Sequence, residues 1–556
     1  MRVALVCCPE WSITSPPYAI SLLKSILLEA GHDAKTFDFN IEAYQFLKNE
    51  EIEFFAGQNF FYWEDGEFDK EVLPRIDKLM DEWVEQILNY SPDFIGFTVY
   101  HTSIRCTQYL IKRVRKKNSK IKIVMGGPQC FSAGEYPPYL GISDYICTGE
   151  GEKAILEMLK YPDDRALSSK VININENPVC NYDDYNLESY ERPTGASIEA
   201  SRGCVAKCAF CLETHYWIYR SKKGQTIVDE MKQLKEKYGF TQFRFNDSLV
   251  NGNIKQFYNM VDALSKDPFV EMWDGYARID GKMDLEFMKK IKKSGNDHLS
   301  YGLESGSQKV LDDMRKGITV QEIEQNLKDS YEAELRFHVN WMVGFPTENQ
   351  TDHATSLVFL FNNAEYINGI SPGMTCGIGD KSALKLNPEK FNIAEKYYWN
   401  NWVTNDFKNT GVHRHIRLKC THIWVDMLNI FNGQHHENLK NHFTLNLYND
   451  KPIVDRIEPE ECPDFSYLYD GSFKSSLHGE FLSFFWVMYK AYGQFDMILT
   501  FEKDRDIAEF GTMIAKEYDA HAKFVVNSNG KWKLFLNHEV YHHKPFFESI
   551  KLEGQF

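Results

Sequence analysis

The sequence predicts an α/β protein in three parts: a Rossmann-like, doubly wound parallel-sheet domain, then a full or partial βα barrel, then a smaller mixed α+β C-terminal domain. Three observations carry this expectation. Residues 1–150 alternate short apolar runs with amphipathic ones, and the same alternation restarts after a polar, turn-rich stretch. Beyond about residue 375 it gives way to aromatic-rich segments. Short continuous apolar strands separated by helical periodicity are what a parallel sheet covered on both faces requires.

In the first part, residues 1–172, the strand candidates are Val3–Cys7, Ala34–Phe39, Phe94–Tyr100, Ile121–Met125 and Tyr145–Thr148, with Ala19–Glu29 as the first helix. Doubly wound sheets bind ligands at the carboxyl ends of their strands, so the loops that follow matter most. Three are suggestive: Cys7 to Pro17, which ends in Pro16 and Pro17; Gly126-Gly127-Pro128; and Gly149-Glu150-Gly151-Glu152. Glycine lets backbone approach a ligand closely. Each loop alone also reads as a simple tight turn.

Residues 173–194, with Asn-Glu-Asn-Pro178 and Asp183-Asp-Tyr-Asn186, read as a linker. The barrel candidate covers 195–375. Its strands are Ser197–Ser201, Phe243–Asn246, Gly275–Ile279, Leu299–Leu303 and Phe337–Phe345, and its helices include Ile227–Tyr238, with Ile227, Met231 and Leu234 on one face, and Leu285–Lys293. The last part, 376–556, holds Tyr397-Tyr-Trp-Asn-Asn-Trp402 and a hairpin candidate from Phe524 to Phe535, with Asn529-Gly530 as its turn signal. It is a possible substrate-binding region by position alone.

The 556 residues are 43% apolar and 26% charged, a globular composition. The formal charge of −16 offers no long-range attraction to nucleic acid or an anionic membrane. The densest apolar stretch, Phe481–Tyr489, falls short of the ~20 residues of a membrane span. The apolar run at the N-terminus is too short for a signal peptide, so a cytoplasmic protein is expected. Twelve cysteines in such a chain read as scattered buried thiols plus one metal site.

That site is Cys204-Val-Ala-Lys-Cys208-Ala-Phe210-Cys211, a Cys-x3-Cys-x2-Cys spacing that follows a strand and Arg-Gly. Three thiolates can each ligate one iron of a [4Fe–4S] cluster and leave a fourth iron open to a small molecule. Two other readings compete. The same spacing describes one stripe of a helix, and His215 would complete a Cys3His zinc set. His542-His543 reads as a solvated strand end.

With the aromatic Phe210 before its last cysteine, the motif resembles the signature of radical S-adenosylmethionine (SAM) enzymes. Phe245-Asn-Asp-Ser248, Tyr276-Ala-Arg278, Tyr301-Gly-Leu-Glu-Ser-Gly-Ser307, Met314-Arg-Lys-Gly317 and Met342-Val-Gly-Phe-Pro-Thr-Glu348 follow in the order and approximate spacing of that superfamily's cobalamin-binding branch. The resemblance extends from residue 1 to about 350. It implies an N-terminal cobalamin-binding domain, a radical SAM barrel, and three cofactors: a [4Fe–4S] cluster, SAM and cobalamin. By the same resemblance Cys204, Cys208 and Cys211 hold the cluster. Pro16, Pro17, Gly126, Gly127, Pro128, Gly149, Glu150, Gly151 and Glu152 match the corrinoid-binding features. Phe210, Asp247, Arg278, Glu304, Ser305 and the Gly344–Glu348 segment fall around SAM. For Arg278 and Glu304 a plain ion pair bracing the barrel mouth is the competing reading. The Asp-x-His-x-x-Gly motif of many cobalamin proteins is absent: His32 follows Gly31, and His101 lies in Tyr-His-Thr-Ser. No histidine from that motif is expected on cobalt.

The implied reaction is reductive cleavage of SAM to a 5′-deoxyadenosyl radical, with methylation of an unactivated substrate carbon through methylcobalamin. Substrate is expected between the carboxyl edges of the two parallel-sheet domains. The alternatives are a cobalamin-dependent rearrangement or cyclisation and, in another class, a corrinoid and iron–sulfur redox sensor. A methylthiotransferase-type enzyme with a second cluster would draw on Cys7, Cys8, Cys106, Cys130 and Cys147, whose dispersion carries no cluster signature. The expected partners are a small-molecule or peptide substrate and a low-potential electron donor such as flavodoxin or ferredoxin.

Overall fold

The computed structural model describes residues 1–536 apart from 49–51, 57–58, 65, 131–140, 161–165, 168, 372–373, 395–401, 429–442, 448, 450, 465–472, 494, 502–521 and 527–531. Two compact units emerge. The first comprises Met1–Arg202, Tyr219–Gly275 and Lys293–Gly295, and the second Gly203–Ile218, Tyr276–Lys292 and Asn296–Phe556.

The first unit opens with six strands: β1 (Arg2–Cys7), β2 (Asp33–Asp38), β3 (Phe94–Thr98), β4 (Lys122–Gly126), β5 (Tyr145–Cys147) and β6 (Ala166–Leu167). They form one parallel sheet in the order β2-β1-β3-β4-β5-β6. Strand order reverses between β1 and β3, the switch point where such sheets open a ligand crevice. Side chains alternate across this sheet, which explains why its strands are continuously apolar. Val3, Leu5 and Cys7 enter one core with Ile20, Leu27, Tyr145 and Met158. Ala4, Val6 and Cys8 enter the other with Trp83, Ile95, Leu110 and Ile123. The cysteines of the second-cluster reading are thereby divided: Cys7 and Cys147 lie in the first core, and Cys8, Cys106 and Cys130 in the second. They act there as small hydrophobic side chains, and burial pushes the Cys7 and Cys106 thiols up.

Residues 173–194 lack regular structure beyond two short turns, as turn chemistry predicts, yet they are docked rather than loose. Asp184 accepts from Lys24 Nζ at 2.6 Å and from the Thr36 amide at 2.8 Å, and Tyr190 donates to Asp38 at 2.6 Å. Cys180, Tyr182 and Tyr190 are buried. Then β7 (Gly195–Ile198) pairs in parallel with β10 (Gln242–Phe245), which pairs with the first residues of β11 (Met272–Ala277). Between β7 and β10 lies a short antiparallel pair, β8 (Ser201–Arg202) and β9 (Arg220–Ser221).

In the second unit β12 (Asn296–Glu304), β13 (Arg336–Val343) and β14 (Met374–Thr375) run parallel, with a bulge between Gly302 and Glu304. The βα succession over 195–375 is that of a parallel half-barrel. The helix Gln350–Asn362 packs on the later helices Gly411–Met427 and Phe473–Tyr492. The last of these contains the apolar stretch Phe481–Tyr489, and among the described residues no helix is long and apolar enough to cross a membrane. A four-stranded antiparallel sheet completes the C-terminal part: β15 (Phe443–Leu447), β16 (Phe495–Phe501), β17 (Ala522–Val526) and β18 (Trp532–Leu536), in the order β15-β16-β18-β17. The hairpin is present as β17–β18, whereas its Asn529-Gly530 turn, Tyr397 to Asn401, and His542-His543 lie outside the described residues.

One glycine controls the carboxyl edge of the first sheet. Gly127 sits at φ +96°, and a Cβ there would stand 2.7 Å from the Val99 amide nitrogen. Both the conformation and the space forbid a side chain. Gly127→Ala is expected to lower stability by about 1–3 kcal/mol, read as a reduced midpoint in denaturant titration. An unchanged midpoint would show that the β4 turn is not held as described.

Candidate functional site

The three motif cysteines occupy the segment Gly203–Ile218, between β8 and β9. Unlike Cys7, Cys8 and Cys106, they are only partly buried. The loop between them has little regular structure and is held from outside. The Ala209 amide donates to Met314 O at 2.9 Å, and Ala209 O accepts from the Leu384 amide at 3.2 Å. Ala209 itself is buried with Val310, Met314, Phe345 and Leu384, and Phe210 packs against that cluster. Phe210 thus anchors the turn between Cys208 and Cys211. Leu212 packs on Gly379, where a Cβ would meet its side chain at 2.8 Å.

Backbone amides and two cations lie near the sulfurs, while burial raises the Cys211 thiol as well as that of Cys208. The Ala206 amide lies 3.4 Å from Cys204 Sγ, and the Glu213 amide 3.5 Å from Cys211 Sγ. Burial raises the Cys208 thiol, while Lys316 and Arg278 oppose that rise and favour the thiolate. Amide hydrogen bonds and nearby cations are among the levers that set a cluster's potential. Among the described residues no group of three or more His, Cys, Asp and Glu side chains is arranged around a single metal-ion position. A cluster makes a different demand, since each thiolate reaches its own iron. The segment is also not a helix across its cysteines, which removes the helical-stripe reading.

The remaining barrel residues lie at or just beyond strand ends. Glu304 ends β12 at φ +72° and pairs with Lys316 at 3.4 Å. Gly302 makes this possible, because a Cβ there would stand 2.9 Å from Glu304 Oε1. Arg278 donates to the carbonyls of Lys316 and Gly317. The ion pair at the mouth therefore joins Glu304 to Lys316, and Arg278 instead fixes the backbone of the Met314–Gly317 turn. Lys316 was visible in Met-Arg-Lys-Gly317 but received no role from the sequence. It links Cys208, Glu304 and Arg278.

Asp247, Ser305 and Gly344 each make bonds within the protein. The Asp247 carboxylate accepts from the amides of Ala200, at 2.9 Å, and Ser201, and burial pushes it up to about 7 against these bonds. Ser305 Oγ lies 3.0 Å from Ser356 Oγ and accepts from the Ser307 amide. Gly344, at φ +74°, donates to both Glu348 oxygens at 3.1 Å, and a Cβ there would collide with the Arg414 side chain. Arg414 stacks 3.7 Å over Trp402, and Arg417 bridges Glu348 at 3.1 Å to Glu480 at 2.7 Å. Nothing in the sequence pattern signalled Arg414 or Arg417.

In the first sheet the three loops lie at the carboxyl edge. Pro17 caps the helix Tyr18–Glu29, and Pro16 precedes it in the loop from β1. Gly126 ends β4, followed by Gly127 and Pro128. At the β1/β3 switch point the rings of Trp11 and Tyr100 stack 3.7 Å apart, and His101 Nε2 lies 2.8 Å from Glu64 Oε1. His101 thus pairs with a carboxylate. Gly149 and Gly151 flank Glu150, whose carboxylate contacts Arg220 at 2.6 Å, while Glu152 contacts Arg202 at 2.7 Å.

The B12 binding domain family matches residues 66–159, and the Radical SAM superfamily matches residues 198–360. The chain pairs a B12-binding domain with a radical SAM domain. The radical SAM match encloses all three motif cysteines, and the B12-binding match encloses the Gly126–Pro128 and Gly149–Glu152 loops. These domains imply [4Fe–4S], SAM and cobalamin, and the donor set fits: three partly exposed thiols on one clamped loop, and a glycine-lined edge at a switch point. The chain is similar to an uncharacterised methyltransferase of Pyrococcus horikoshii, 23% identical over 49% of this chain and 65% of that protein. It therefore spans just under two thirds of that relative. Among solved structures it resembles the cobalamin-dependent S-adenosylmethionine radical enzyme OxsB, with a TM-score of 0.58 and 15% identity over 88% of this chain and 79% of that one. It also resembles the radical S-adenosylmethionine methyltransferase TsrM from Kitasatospora setae, with a TM-score of 0.52 and 16% identity over 69% and 75%. At such identities these likenesses speak to the fold.

Anaerobically reconstituted radical SAM domain in the full chain is expected to hold about four irons. Replacing Cys204, Cys208 and Cys211 together by alanine should remove them, as read by iron and sulfide analysis. Stoichiometric zinc without sulfide in protein purified free of oxygen would contradict this.

Proposed function

We propose that the protein is a cobalamin-dependent radical SAM enzyme that methylates an unactivated carbon of a small-molecule or peptide substrate. The observation that carries this reading is the joint presence in one chain of a three-cysteine loop in a radical SAM domain and a B12-binding parallel sheet. When bound, the cluster and SAM supply hydrogen abstraction and the corrinoid supplies the methyl group. The protein's part is to hold and orient. Cys204, Cys208 and Cys211 hold the cluster, and the Ala209 clamp to Met314 and Leu384 keeps their loop in one shape. Lys316 and Arg278 balance negative charge beside Cys208. Gly127 and the loops after β1 and β3 receive the corrinoid, with the Trp11–Tyr100 stack bordering it. Such placement of reactants is worth far more than any single acid or base here. A reductant is required, and a cytoplasmic flavodoxin or ferredoxin suits it.

The methyltransferase description of the Pyrococcus horikoshii protein supports methyl transfer, and relatives described as cyclases keep cyclisation as the second reading. With the true substrate and methyl-deuterated SAM, the product is expected to carry the labelled methyl group. 5′-Deoxyadenosine and S-adenosylhomocysteine should accumulate in parallel with it by mass spectrometry. Converted substrate without label would contradict methyl transfer and point to rearrangement or cyclisation. Failure to cleave SAM at all would favour a redox sensor.

A further inference from the structure

The two residues that open and close the cluster loop carry like charge. Arg202 and Arg220 are register partners in the β8–β9 pair, so their side chains emerge side by side at the neck of the segment that contains Cys204, Cys208 and Cys211. Like charges directly opposite one another on paired strands destabilise the pairing. Here they are also largely out of water, with side-chain exposures of 14% and 13%. A buried arginine pair of this kind persists only with carboxylates to compensate it.

The carboxylate on Arg220, and part of the compensation of Arg202, come from the other domain. One oxygen, Glu150 Oε1, lies 2.6 Å from Arg220 Nη2 and 3.5 Å from Arg202 Nη1, and Glu150 Oε2 lies 3.0 Å from Arg220 Nη1. Glu150 Oε2 also accepts from the Val171 amide. Arg202 reaches Glu152 and Glu199 as well, each at 2.7 Å. Glu150 and Glu152 belong to the B12-binding match, whereas Glu199, Arg202 and Arg220 belong to the radical SAM match. Glu150 is 1% exposed at its side chain.

We infer that Glu150 is a positioning residue for the iron–sulfur loop, acting from within the B12-binding domain by neutralising the paired arginines at that loop's neck. The inference rests on the radical SAM reading. It assigns Glu150 to the geometry of the cluster rather than to direct corrinoid contact, and it makes the radical SAM site dependent on a residue outside its own sequence segment.

The test uses full-length, anaerobically reconstituted protein loaded with hydroxocobalamin. Iron content, retained corrinoid, and the SAM titration of the reduced cluster's electron paramagnetic resonance signal are measured for wild type, E150Q, R220Q and E150Q/R220Q. E150Q is expected to keep its corrinoid but to weaken SAM binding about tenfold, because removing the shared carboxylate leaves Arg220 buried beside Arg202 without the carboxylate that pairs with it. Removing one arginine as well relieves that repulsion, so the double variant should return to within about threefold of wild type. R220Q alone should stay within the same range. Ile87→Ala, a core truncation in the helix Leu73–Tyr90, serves as a control that destabilises the unit without touching the neck. If E150Q matches wild type in SAM affinity, or loses corrinoid with the cluster signal unchanged, the inference is overturned. The same holds if the double variant shows the product of the single effects, or if Ile87→Ala weakens SAM binding as much as E150Q. Wild-type protein without iron would overturn the radical SAM reading itself.

Discussion

A loop that must present three thiolates and leave one iron open cannot supply its own rigidity. Between β8 and β9 the chain makes few internal backbone bonds, so the shape of the cysteine loop depends on what grips it. Ala209 is fixed through both its amide and its carbonyl, Phe210 and Leu212 are packed into apolar neighbours, and the neck is closed by arginines that need carboxylates. The surrounding architecture can be understood as the set of anchors for this one segment. The Met314–Gly317 turn holds Ala209, and Arg278 and Glu304 in turn hold the turn and its lysine.

The same demand explains why several polar residues at strand ends are braces. A buried carboxylate or hydroxyl must be hydrogen-bonded, and the nearest donors are backbone amides of the loops it adjoins. Asp247 satisfies the amides that turn β7 into β8, and Glu348 satisfies Gly344 while Arg417 ties it to Glu480. Burial pushes both carboxyls up to about 7, against the opposing effect of these partners.

Much of this was legible in the sequence because strand and helix periods, glycine turns and a tight cysteine spacing are local signals. The βα succession, the loops at the carboxyl ends and the β17–β18 hairpin all follow from such patterns. The departures are long-range. Residues 173–194 read as a linker from their turn residues, yet Asp184 and Tyr190 bind Thr36 and Asp38 far away in sequence. The Arg278–Glu304 pairing gave way to Glu304–Lys316, a choice set by the β12 bulge and a positive φ that no periodicity reveals. Arg202 and Glu150 each stood in a recognised motif, but their contact spans two domains and had no local signature.

The central claim is that the three-cysteine loop holds a cluster whose fourth iron is open to SAM. Mössbauer spectroscopy of ⁵⁷Fe-reconstituted protein with and without SAM tests it most directly. The account predicts a [4Fe–4S] spectrum in which SAM alters one iron site and leaves the other three unchanged. A cluster whose four irons are indifferent to SAM, or protein that takes up no cluster, would contradict it.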